Sequence, residues 1–305
     1  MNLTTFYKIY YKHRFKKASL FLKLYLSFSV LVKYFINLFY IQKIIDIDNL
    51  SSKKKFLYEK NLNFLFEYFN SDKGELYINQ YAQPIKRKNE KIIAHGYAKT
   101  YENLFKFIKN ENLKILEIGS FYGNASAALF FYFKNSLIYS ADINPDMYKY
   151  KGSRLKNFFV DSSSRDSINK HILKKNSEFD IIIEDASHRL KDQIISLFML
   201  FPKIKKGGIF VVEEIDFPEK REDMRIGQVM PDLKTILKKI QSKENFDSNY
   251  ITNKEKDYFL KNVESIEFFT GNINEIAIIK KKKYYFLVVI FIENRLFYIL
   301  KKFLF

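Results

Sequence analysis

FDIIIEDASHRLKDQIISLFMLFPKIKKGGIFVVEE, residues 179–214, is the stretch from which the fold is read. It holds two apolar, strand-like runs, and each ends in acid. Ile181-Ile182-Ile183 is closed by Glu184-Asp185, with His188 three residues later. Ile209-Phe210-Val211-Val212 is closed by Glu213-Glu214. A helical stretch, Lys191–Phe201, lies between them. In an open parallel sheet, ligands sit outside the carboxyl ends of the strands. Two neighbouring strands therefore bring Asp185, His188, Glu213 and Glu214 to one place. Three carboxylates can hold a hard divalent cation. A histidine beside them can act as a general base near neutral pH. The pattern is that of an enzyme.

Working outward, strands and helices alternate. Further strands are expected at Lys114–Ile118, Leu137–Ile143 and Phe158–Asp161. Helical stretches fall around Asn124–Phe133, Pro145–Tyr150 and Arg165–Lys174. Continuous apolar strands separated by helices indicate a doubly wound, mostly parallel α/β sheet. After Glu214 the pattern breaks. Residues 216–232 carry Pro218, Gly227 and Pro231 and are expected to form a mobile loop over the site. A helix follows near Leu233–Gln241. Ser265–Phe269 and Glu275–Ile279 flank Gly271-Asn272, a hairpin signal that adds an antiparallel strand and brings the sheet to seven strands. Upstream, Asn61–Asn70 reads as a short helix and Ser71-Asp72-Lys73-Gly74 as a turn. From His95, residues Tyr97, Tyr101, Leu104, Phe105 and Ile108 lay one apolar stripe along a helix. The chain divides into an N-terminal extension (1–60), a helical cap (61–112), a main domain (113–280) and a C-terminal tail (281–305).

At 305 residues the chain can bury a full core. It has no cysteine, which excludes disulfides, thiolate zinc sites and cysteine nucleophiles. With only four histidines, His13, His95, His171 and His188, a histidine-rich metal site is not expected. His13 and His171 read as surface residues. The net charge of +18 is uneven. Residues 1–60 hold twelve Lys/Arg against three Asp/Glu, and residues 280–305 hold seven against one. The central part is near neutral, which argues against a nucleic-acid substrate.

Both ends are basic and apolar. Leu20 to Ile45 is nearly all apolar, its only charges before the first acidic residue being Lys23, Lys33 and Lys43, and its charge-free runs are about half of the roughly 20 residues that a spanning helix needs. Three readings stay open: a helix packed on the protein itself, an interfacial helix on an anionic membrane, and a true span. The C-terminus repeats the pattern, with Lys280 to Lys283 ahead of an apolar run.

The first strand runs into Glu117-Ile118-Gly119-Ser120-Phe121-Tyr122-Gly123. Gly119 lets the backbone approach a ligand, and Gly123 lets the next helix pack closely. The second strand ends in Asp142, about 20 positions after the glycine turn, where an acid can bind ribose hydroxyls. The third ends in Asp161-Ser162. The glycine spacing resembles motif I of class I S-adenosylmethionine-dependent methyltransferases. Asp185-x-Ser187-His188, Gln193, Leu200-Phe201-Pro202, Gly207-Gly208 and Glu213-Glu214 resemble the mycinamicin- and macrocin-type sugar O-methyltransferases. Ser71-Asp72-Lys73-Gly74 and His95-Gly96-Tyr97 with Tyr101-Glu102 resemble that family's upstream element. The likeness covers roughly residues 70–215. One position departs from it: the family's acidic pair is usually Glu-Asp, and here the second residue is Glu214.

The resemblance implies a Rossmann-like methyltransferase. S-adenosylmethionine would lie against Glu117, Gly119, Ser120, Gly123, Asp142, Asp161, Ser162 and Tyr97. Magnesium would be held by Asp185, Glu213 and Glu214, with His188 as the base for a sugar hydroxyl on a glycan or glycoconjugate. The protein would act in the cytoplasm, at the inner membrane face if its ends adhere there, and a homo-oligomer is compatible with the pattern. Two rivals remain: a membrane-peripheral binding protein without catalysis, and a metal-dependent hydroxylase on the same scaffold.

Overall fold

The computed structural model describes residues 2–12, 15, 18–38, 44–79, 90–175, 177–283, 288–292 and 295–299. Seven strands form the central sheet: β1 (Lys114–Ile118), β2 (Leu137–Asp142), β3 (Leu155–Phe159), β4 (Phe179–Glu184), β5 (Ile204–Val212), β6 (Val263–Thr270) and β7 (Glu275–Lys281). Their order across the sheet is β6-β7-β5-β4-β1-β2-β3. β1 to β5 run parallel, whereas β7 is antiparallel to both β5 and β6. The order reverses between β1 and β4, and that switch point is where an open sheet leaves a crevice at its carboxyl edge.

Apolar cores lie on both faces. Ile115, Ile181, Ile183 and Val211 face one side, with the helix Asn124–Tyr132 and residues of the cap. Leu116, Ile182, Phe210 and Val212 face the other, with the helix Leu190–Leu200. Alternate strand residues thus serve opposite faces, and both are covered, so the strands read as unbroken apolar runs. Every residue of Asn124–Tyr132 is buried, which explains why it lacks an amphipathic period.

Several boundaries move. The pattern places β3 at Phe158–Asp161, but the strand spans Leu155–Phe159, leaving Asp161 just past its end. Pro145–Tyr150 holds only one 3-10 turn, Pro145–Met147, because Tyr150–Lys151 pairs instead with Ile45–Asp46. That pairing, with Ile47 and Leu57 buried in the main core, makes residues 45–59 part of the central body, short of the division drawn at residue 60. Further upstream, the helices Leu3–Tyr10 and Leu20–Leu38 pack on each other through Phe6, Tyr11, Leu26 and Val30. His171 is not fully at the surface: it is half-buried, edge-on to Phe159. Among the described residues no helix is long and apolar enough to cross a membrane. His13, Lys43 and the end of the C-terminal tail lie outside the described residues, while Val288–Ile292 and Arg295–Ile299 form an antiparallel pair.

Candidate active site

A cleft of about 490 Å³ opens along the carboxyl ends of β1, β2 and β4. Glu117 to Phe121, Asp142, Asp161 and Ser162 line one half, and Asp185, Ala186 and His188 line the other. Register explains this placement. Ile118 pairs with Ala141 on one side and with Glu184 on the other, and Glu184 pairs with Val212. The residues just past each strand therefore leave the sheet side by side.

The first half is satisfied locally. Gly119 has φ +90°, and a Cβ there would lie 2.0 Å from the Asp185 carbonyl oxygen, so no side chain fits. Gly123, at φ 77°, caps the helix Asn124–Tyr132. Asp142 accepts hydrogen bonds from the backbone N–H groups of Phe121 (2.8 Å) and Asn144 (2.7 Å). Burial still raises its pKa above the ordinary aspartate value against those bonds. Asp161 accepts from the Ser163 N–H (3.0 Å) and hydroxyl (2.6 Å). Glu117 is buried, accepts from the Ser126 hydroxyl and lies 3.6 Å from Lys73 Nζ.

The second half is a buried charge network. Lys73 donates to Asp185 and to Glu213 Oε2 (2.7 Å). Burial alone would lower its pKa, but Asp185, Glu213 and Glu117 outweigh that and hold it well above an ordinary lysine. The other oxygen of Glu213 accepts from Tyr101 OH. Burial pushes Glu213 up to about 7, with Lys73 opposing. Glu214 stands between two histidines: His95 Nε2 is 2.9 Å from Oε1, and His188 Nδ1 is 3.2 Å from Oε2. Burial would raise its pKa, but His188 and His95 hold it well below the usual carboxylate range. The two histidines are driven apart. Burial lowers His188, with His95 and Lys73 adding to it against Glu214. For His95, burial is outweighed by the hydrogen bond and charge of Glu214, so its pKa rises. His188 (φ 53°) and Glu214 (φ 44°) both sit in the left-handed region, the kind of local strain that collects at functional sites. Behind them, Gln193 Nε2 donates to the carbonyls of Glu213 and Glu214 (3.2 Å each), and the Phe217 ring packs edge-on to His188. The segment expected to cover the site thus touches it through Phe217.

The sequence-derived site residues fall into three groups. Glu117, Gly119, Ser120, Asp142, Asp161 and Ser162 line the cleft, and Gly123 supports it. Asp185, His188 and Glu214 bring one ligand atom each within 4.8 Å of the others, a set able to hold a metal ion. His188 Nδ1 and Glu214 Oε2 are buried and face each other at 3.2 Å without an aligned hydrogen bond, which suits a cation between such ligand atoms. Glu213 lies beside this set, but Lys73 and Tyr101 engage both of its oxygens. Tyr97 is away from the cleft lining: its ring stacks on His95 at 5.4 Å, and its hydroxyl is buried. Lys73, His95 and Tyr101 were legible only as parts of an upstream motif. No local signal marks a lysine in a turn as a fully buried counter-ion.

No family model matches the chain. Over 138 residues it is 26% identical to the 8-demethyl-8-alpha-L-rhamnosyl tetracenomycin-C 2'-O-methyltransferase of Streptomyces olivaceus, covering 43% of this chain and 36% of that protein. Over 128 residues it is 27% identical to the demethylmacrocin O-methyltransferase of Streptomyces fradiae, covering 40% and 32%. It is likewise 27% identical over 128 residues to the mycinamicin VI 2''-O-methyltransferase of Micromonospora griseorubida, again covering 40% and 32%. The match thus spans about a third of the length of these curated relatives. Among solved structures, the MycE methyltransferase of the mycinamycin pathway, in complex with Mg and SAH, superposes with a TM-score of 0.55 at 19% identity, covering 73% of this chain and 54% of that one. The likeness expected from the motifs is therefore present: the chain shares the fold of the MycE methyltransferase, and its curated relatives are named as O-methyltransferases.

Proposed function

We propose that the protein is an S-adenosylmethionine-dependent O-methyltransferase acting on a sugar hydroxyl of a glycan or glycoconjugate, with a magnesium ion at Asp185 and Glu214. The observation that carries this reading is the single cleft that joins Gly119, Asp142 and Asp161 to Asp185 and His188. S-adenosylmethionine, when bound, supplies an electrophilic methyl group, and a magnesium ion supplies Lewis acidity toward a hydroxyl.

The chain's own residues do the rest. The glycine turn and Asp142 would orient the donor, and alignment of two substrates supplies much of such a rate enhancement. Lowered by burial, His188 is neutral near pH 7 and can take the hydroxyl proton at a ring nitrogen. Glu214 keeps its charge there, and the raised pKa of His95 lets that residue brace it. Lys73 offsets the repulsion between Asp185 and Glu213. We place the reaction in the cytoplasm, at the inner membrane face if the chain's ends adhere there.

Two measurements test this. Calorimetry should show S-adenosylmethionine binding, and added magnesium should bind a second site that Asp185→Asn weakens. An absence of donor binding overturns the reading. His188→Ala should keep donor affinity and lose about 10²–10⁴-fold in turnover. A fully active His188→Ala would remove the base assignment.

A further inference from the structure

The helix Leu20–Leu38 is apolar nearly all round, yet among its described side chains only Leu26 and Val30 are buried, against Phe6 and Tyr11. Much of the remaining apolar surface faces outward: Phe21 is 83% exposed, Leu20 78% and Phe28 69%, and Leu24, Tyr25 and Phe35 are also exposed. Soluble surfaces rarely leave so continuous an apolar face uncovered. The segment's own charge has one sign. Residues 1–45 hold eight Lys/Arg and no Asp/Glu, including Lys8, Lys12, Lys23 and Lys33.

The pair of helices is also tied to the cleft. The Asn2 backbone N–H (2.7 Å) and the Thr5 hydroxyl (3.0 Å) donate to Asp146, in the turn just past Asp142. Lys12 itself lines the cleft, as do Asn144 and the exposed Ile143.

We propose that the helices Leu3–Tyr10 and Leu20–Leu38 form a docking element that lays its apolar face on an anionic lipid bilayer and holds the cleft mouth beside the membrane surface. An amphipathic surface of this kind binds by burying apolar side chains at the headgroup boundary while cations meet anionic lipid. Charge selects the bilayer over a second copy of the chain. Two such elements would bring like charges together, Lys8, Lys12, Lys23 and Lys33 against their copies, whereas an anionic bilayer attracts both copies. The inference deepens the functional reading by naming the surface at which the sugar acceptor is met, and it rests on that reading only for the cleft being the reaction site.

The whole chain is tested by flotation with vesicles of phosphatidylcholine alone or with about 30 mol% phosphatidylglycerol. The bound fraction should rise at least about tenfold with the anionic lipid and fall as salt screens the charge. Phe21→Asp combined with Phe28→Asp should abolish flotation while leaving S-adenosylmethionine affinity in calorimetry unchanged. Donor binding without flotation therefore fails the docking inference alone, and flotation without donor binding fails the functional reading alone. Because the chain has no cysteine, single cysteines can carry a fluorophore. Nitroxides in the bilayer should quench a label at Phe35→Cys and leave one at Lys261→Cys bright, since Lys261 lies with Glu178 and Ile204 at the opposite, amino edge of the sheet. Equal flotation of the double variant, equal quenching at both labels, or a dimer that the same substitutions abolish without any vesicle binding would each overturn the docking element.

Discussion

Asp142 and Glu213 both close a strand, and they are satisfied by different means. Asp142 takes its hydrogen bonds from backbone groups at Phe121 and Asn144, supplied by the glycine turn and by its own loop. Glu213 takes its bonds from Lys73 and Tyr101, 140 and 112 residues away. The half of the site around Asp142 is therefore assembled by the sheet itself. The half around Glu213 needs the cap to close over the sheet, because its carboxylates are buried without enough backbone donors to stand alone. Burying a charge is costly unless a partner meets it, so this second half couples folding of the cap to the site's electrostatics.

The hardest test of that contrast is Lys73→Met. It strands Asp185 and Glu213 without their ammonium, and unfolding in urea should show a loss of about 3–5 kcal/mol. A loss below about 1 kcal/mol would mean that the network does not hold the cap, and the two halves would no longer differ in kind. Gly119→Ala probes the seam between the halves, where the new methyl group meets the Asp185 backbone. It should cost about 1–3 kcal/mol of stability and weaken donor binding in calorimetry, since the obstacle is main chain and cannot swing aside.

Glu184, just before Asp185, is fully buried, and neither oxygen has a well-aligned hydrogen-bond partner. Burial pushes its pKa from 4.5 to about 8. The folded protein then keeps a proton that the unfolded chain releases, so stability falls as pH rises from about 4.5 to about 8. Glu184→Gln should remove that slope. Its gain over the parent should be near zero below pH 4 and grow to roughly 1–3 kcal/mol at pH 8, read from thermal or urea unfolding across pH. A gain that does not vary with pH would show that Glu184 is already ionised in the fold. The smallest effect is expected at Asp142→Asn, which keeps the shape and one carbonyl acceptor. Donor affinity should fall about tenfold with a stability loss of only about 1 kcal/mol, because the amide NH2 cannot accept from the second backbone N–H. A stability loss as large as that of Lys73→Met would erase the contrast.

Sequence reading is most accurate where structure is local. The helix Leu233–Gln241 matches its expected span to the residue, and the hairpin at Gly271-Asn272 is identified by its turn. Their period and turn chemistry are short-range. The helix Asn253–Asn262 escapes such a reading, because its polar sequence leaves only Phe259 and Asn262 buried and so carries a weak period. Asn124–Tyr132 is legible from apolar content alone, since complete burial removes the amphipathic signal.

At the site, the sequence by itself determined the strand ends: the glycine turn at Gly119, the acids at Asp142, Asp161, Asp185, Glu213 and Glu214, and His188. Parallel strands must deliver their C-terminal loops to one edge, and that rule needs no tertiary knowledge. Only the tertiary structure decided their partners. It gave Lys73 and Tyr101 to Glu213, set His95 and His188 on either side of Glu214, and moved Tyr97 from the cleft to the back of His95. The reason is physical. Strand order comes from short-range pattern, whereas the pairing of buried charges depends on distances between segments a hundred residues apart, which become defined only when the cap packs on the sheet.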